Sequence, residues 1–121
     1  MLYNDGDVEV EQRKLCQRYK TDFLASPKGS KVGIALATLE LTPLNGLRHV
    51  PEQGTNGWYI WGGKELSSHP DFFEPLHVEH LTHRCPEALK FLGLPPGYRF
   101  LLAGDHVDVW FDVNLLSVPA S

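Results

Sequence analysis

The sequence predicts an α+β fold in one domain: a small mixed or antiparallel sheet of about four strands, backed by an N-terminal helix and two short helices. Three observations carry that expectation. Helical and strand patterns follow one another in the order α, β, β, α, α, β, β, without the regular alternation that a doubly wound sheet requires. Two alternating runs around Gly104 and Asp105 read as a hairpin near the end of the chain. The 121 residues, 42% hydrophobic and 21% charged, suffice for one core and are too few for separate cofactor and substrate lobes.

Residues 8–24 contain no Gly or Pro, and Leu15, Cys16, Tyr19 and Phe23 recur at helical spacing along one face, so a helix is expected there. It belongs to an N-terminal extension, residues 1–30, that ends in the breaker run from Ser26 to Ser30. Val32, Ile34, Leu36 and Thr38 then alternate with Gly33, Ala35 and Ala37, as in a strand whose second face is tightly covered. Residues 40–56 hold Pro43, Asn45, Gly46, Pro51, Gly54 and Asn56, a density of turn formers that predicts a long irregular excursion. Gly57 to Trp61 reads as a central strand with Trp58 and Ile60 opposing Tyr59 and Trp61. Pro75 suits the first turn of a helix through residues 76–84, and Pro86 opens a second short helix that buries Leu89 and Leu92, with Gly93 as its left-handed end. In the hairpin, Tyr98 to Ala103 and His106 to Phe111 flank a turn in which Gly104 supplies the positive φ. Val107, Val109 and Phe111 form its apolar face, and His106, Asp108, Trp110 and Asp112 the polar one. Residues 113–121 are a C-terminal tail.

Fifteen acids against eleven bases give a net charge of −4, which disfavours nucleic-acid binding by bulk charge. The imbalance is localised. Residues 65–121 hold eight acids against Arg84, Lys90 and Arg99, a local net of −5, and such a surface repels phosphate backbones and attracts a basic protein. No apolar run approaches the roughly 20 residues of a membrane span, the N-terminus has no secretory pattern, and two cysteines make no disulfide framework. The expectation is a cytoplasmic protein with no membrane partner.

His77, His80 and His83, with Glu79 and Cys85 nearby, are the one place where the sequence suggests a transition metal or proton-transfer chemistry. Steps of three spread the side chains over roughly 120° of a helix, so three ligands converge poorly, and the HExxH spacing is absent. Cys85 before Pro86 has no feature of an activated thiol, and Gly62-Gly63-Lys64 lacks the phosphate-loop arrangement. No cofactor, metal or catalytic constellation is therefore expected. A small histidine-using or metal-dependent enzyme centred on residues 77–83 is the runner-up reading.

Lys31-Val32-Gly33, the run from Gly57 to Gly63, Cys85-Pro86-Glu87, the run from Leu92 to Phe100, and Asp108 to Asp112 together resemble the immunity protein thirty-three family, over about residues 30–112. The resemblance implies an α+β fold and a bacterial protein that neutralises a polymorphic toxin, with no catalytic residues to transfer. On that reading the chain binds a cognate protein toxin, with a basic nuclease as the target its acidity suits, and occludes the active site without chemistry. The contacts expected are Asp105, His106, Asp108, Trp110 and Asp112 on the hairpin, with Glu65, Asp71, Glu74 and Glu79 as a second acidic group. A general adaptor domain using the same aromatic face is a third possibility.

Overall fold

The computed structural model describes residues 5–67 and 69–117, so residues 118–121 of the expected tail lie outside the described residues. The chain is α+β. Among the described residues its sheet has six strands rather than about four: β1 (Lys31–Ile34), β2 (Leu44–Arg48), β3 (Thr55–Gly62), β4 (Glu74–His77), β5 (Tyr98–Ala103) and β6 (His106–Phe111), in the order β4-β1-β3-β2-β5-β6. β1 and β3 are parallel and the other pairs antiparallel.

The helix α1 (Asp5–Arg18) starts and ends earlier than its apolar spacing predicts. Lys20 takes φ 55 and turns the chain, so Phe23 leaves the helix and packs where Gly93 has no side chain. Gly93 thus serves close packing rather than the left-handed helix end expected of it. The expected strand at 31–38 stops at Ile34 and continues as a 3-10 turn, Leu36–Thr38. A further correction concerns the segment read as irregular, residues 40–56. β2 runs through it, because Gly46 leaves room for the Phe100 ring, which would lie 2.1 Å from a Cβ there. Asn45, instead of turning the chain, donates its side-chain amide to the carbonyls of Pro43, Trp61 and Gly63.

Another correction is at Pro75, which lies in β4, an edge strand where a missing amide hydrogen is tolerated. The helix expected through residues 76–84 is reduced to a 3-10 turn, Val78–His80, and one α-turn, α2 (Leu81–Arg84). Pro86–Phe91 is a further 3-10 turn with the proline at its start, and it buries Leu89 as expected.

One sheet face carries Val32, Ile34, Trp58, Ile60 and Phe100 and is covered by α1, through Cys16, and by Leu81, Phe91 and Leu92. Phe91 stacks on Phe100 with ring centres 4.4 Å apart. Burying such side chains contributes about 1.5–3 kcal/mol each, which makes this the main core. The other face has a smaller cluster of Ala35, Leu47, Trp61 and Leu115, roofed by Phe72 and Phe73. Trp58 and Trp61 therefore lie on opposite faces and both are buried, as strand alternation requires.

Arg48 is 1% exposed at the end of β2. Its Nε donates to the Asn56 carbonyl at 2.8 Å, and its guanidinium nitrogens donate to the carbonyls of Leu24, Leu94, Leu92 and Ala25. These bonds tie residues 24–25 and 92–94 to the sheet. Burial pushes the Arg48 pKa down to about 10, so the group stays charged at neutral pH.

Candidate functional site

The β5–β6 hairpin is the element whose sequence signal and structure agree most closely. Gly104 takes φ 61 at the first position of the two-residue turn, as a type II′ hairpin asks, and the six pairs from Tyr98 with Phe111 to Ala103 with His106 run without a shift. His106, Asp108 and Trp110 share the face of Arg99 and Leu101. His106 Nε2 lies 2.9 Å from Asp108 Oδ2, and both side chains are more than half exposed. Trp110 is 39% exposed, with the Arg99 guanidinium 5.4 Å from its ring centre. Asp105 projects from the turn and is exposed.

Asp112 is a different kind of residue. It accepts from Arg99 at 3.2 Å and from the backbone N–H of Asn114 at 3.0 Å, capping the 3-10 turn Val113–Leu116. Part of its hydrogen-bonding capacity is therefore used within the fold. The apolar side of β6 also departs from expectation. Val109 packs against the main core, whereas Val107 and Phe111 are 40% and 50% exposed, because β6 is the last strand of the sheet.

The second acidic group lies elsewhere. Glu74 opens β4 and Glu79 follows it, while Glu65 and Asp71 lie on the segment linking β3 to β4, and all four are exposed. β4 and β6 are opposite edges of the sheet, five strand spacings or about 24 Å apart. The structure does not bring Glu74 and the hairpin residues together.

The three histidines do not share a helix. His77 ends β4, His80 is in the 3-10 turn, His83 is in α2, and all are exposed. The rings of His77 and His80 are 6.1 Å apart. Among the described residues no group of three or more His, Cys, Asp or Glu side chains is placed to hold a metal ion. Cys85 is fully buried and donates to Glu87 Oε1 at 3.3 Å. Burial, reinforced by the Glu87 carboxylate, pushes its thiol up to about 12, the opposite of an activated nucleophile.

Sequence reasoning missed Arg99, which links Asp112 and Trp110 and whose Nε is a buried donor with no partner among the described residues. The signal was available in its position opposite Trp110 across the hairpin. It also missed the exposure of Val107 and Phe111, which depends on strand order and leaves no local trace.

The Imm33-like domain model matches residues 11–112, most of the chain, and starts inside α1, further toward the N-terminus than the resemblance over 30–112. The chain belongs to the Imm33-like domain family. No curated protein and no solved structure matches it. Among the described residues, no helix is long and apolar enough to cross a membrane.

Proposed function

We propose that this chain is an immunity protein that binds a cognate protein toxin and blocks its active site or substrate entry by occlusion, acting in the cytoplasm without chemistry of its own. Membership of the Imm33-like family is the observation that carries this reading. The hairpin supplies the contact chemistry. Trp110 is an exposed aromatic of the kind that anchors interfaces, and Asp105 and Asp108 beside it suit a basic partner such as a nuclease.

The test is co-expression with the product of the adjoining upstream gene. The expected result is a complex that co-purifies and relief of growth arrest by this chain. Absence of both would refute the reading. If a complex forms, affinities of Trp110→Ala and Asp108→Ala locate the surface. Each is expected to lose about 2 kcal/mol, roughly 30-fold in Kd, with the fold retained by circular dichroism. Wild-type affinity for both variants would exclude the hairpin as the docking element.

A further inference from the structure

The sheet ends in two unlike edges. β4 is four residues long and contains Pro75, and shortness and proline are both devices that blunt an edge against further pairing. β6 runs six residues in unbroken register, with neither proline nor lysine in it. The Asp112 N–H donates to the Gly97 carbonyl, and the two-residue turn closes on Ala103 and His106. In an antiparallel ladder inward and outward amides alternate, so His106, Asp108 and Trp110 bond to β5 while Val107, Val109 and Phe111 direct their amides to the open side.

Exposed apolar surface gathers at the same edge. Val107, Trp110, Phe111, Val113 and Leu116 are all exposed, whereas the other large exposed apolar side chains among the described residues are scattered between Val10 and Leu66. The edge is also acidic. Asp105 and Asp108 are exposed, Asp112 is matched by Arg99, and no lysine or arginine follows Arg99 in the sequence.

We infer that β6 takes an extended basic segment of the protein partner as a seventh strand. Main-chain bonds to Val107, Val109 and Phe111 supply affinity, and alternation sends one set of the segment's side chains toward Val107 and Phe111 and the other toward Asp108 and Trp110. Lysine or arginine belongs in the second set. A second copy of this chain fits less well, because it brings Asp105 and Asp108 of both chains to one seam. That the partner is a toxin rests on the function proposed above; the edge geometry does not.

The test uses a capped seven-residue peptide alternating lysine and valine, with the glutamate-for-lysine peptide as control, and reads amide exchange by NMR. The lysine peptide at millimolar concentration is expected to slow exchange at Val107, Val109 and Phe111 by about tenfold or more. Val107→Pro, at an exposed side chain, removes an outward amide without breaking the ladder to β5, and is expected to abolish the effect while retaining the melting temperature. Asp108→Lys, on an exposed side chain, is the second variant and should transfer preference to the glutamate peptide. No protection, protection elsewhere, or equal protection by both peptides overturns the inference. So does a dimer in sedimentation that Asp108→Lys or Val107→Pro dissolves. Failure of the toxin to co-purify would overturn the proposed function and leave this measurement intact. A toxin still neutralised by Val107→Pro would mean docking elsewhere.

Discussion

Replacing Arg48 by methionine keeps the aliphatic stem and removes every donor, so it isolates what the guanidinium does at the end of β2. Three of its bonds, to Leu24, Leu94 and Asn56, are 2.7–2.8 Å long. Bonds from a charged donor contribute about 1.5–3 kcal/mol each, a gross gain of roughly 4.5–9 kcal/mol. Burying the charge costs several kcal/mol, which methionine avoids, but methionine leaves the carbonyls of the buried bonds to Asn56 and Leu94 without their donor. The expected net loss is about 3–5 kcal/mol, a large part of the roughly 5–15 kcal/mol a domain has. For a chain of this length, about 4 °C per kcal/mol translates the loss into about 12–20 °C in Tm. Urea unfolding followed by tryptophan fluorescence, with calorimetry, measures both. Arg48→Lys is expected to recover little, since an ammonium is a point charge that does not span carbonyls on two segments. A methionine variant within about 1 kcal/mol of wild type would show that desolvation cancels the hydrogen bonds, and would refute the reasoning.

Gly46→Ala places a methyl group against the Phe100 ring that Phe91 stacks on, and overpacking of this kind costs about 1–3 kcal/mol. Phe100→Leu combined with it should recover part of the loss in a double-mutant cycle; additive effects would refute the clash. Cys16 and Cys85 are both buried thiols with raised pKa, so a disulfide reagent at pH 8 is expected to label neither in the native protein and both in denaturant. The Cys85 pKa rises from 9.0 to about 12 on folding, so its stabilising contribution is complete below pH 9 and is lost as pH climbs through about 12. Cys85→Ala should accordingly flatten the alkaline limb of the stability curve between those values.

The hairpin was legible because everything that specifies it is local: alternation along Tyr98 to Ala103 and His106 to Phe111, and a glycine where the turn needs positive φ. β2 was illegible for a specific reason. Gly46 and Asn45 look like turn residues, yet Gly46 is selected by a ring from β5 that is distant in sequence, and Asn45 uses its amide on carbonyls of neighbouring segments. Pro75 misled in the same way, since proline serves a helix start and an edge strand equally well and only strand order decides between them. Once the helix through residues 76–84 was lost, so was the premise of the histidine reading, because a spacing of three carries no geometric meaning across a strand end, a 3-10 turn and a single α-turn.

Strand order also divides the acidic half of the sequence, which in charge arithmetic looks like one surface. Glu74 on β4 and Asp108 on β6 are separated by about 24 Å of sheet, some three Debye lengths at physiological ionic strength. A partner seated on the hairpin therefore feels the charge at β4 only weakly. Asp108→Lys is expected to weaken partner binding by about 30-fold or more, since it both removes an attractive contact and adds a repulsive one. Glu74→Lys changes the net charge of the chain by the same amount and is expected to alter the association rate less than about twofold at 0.15 M salt. The comparison holds total charge constant and varies only its place in the fold. Equal losses for the two variants would mean that the partner spans the sheet or docks on its far edge, and the hairpin would cease to be the surface that orients it.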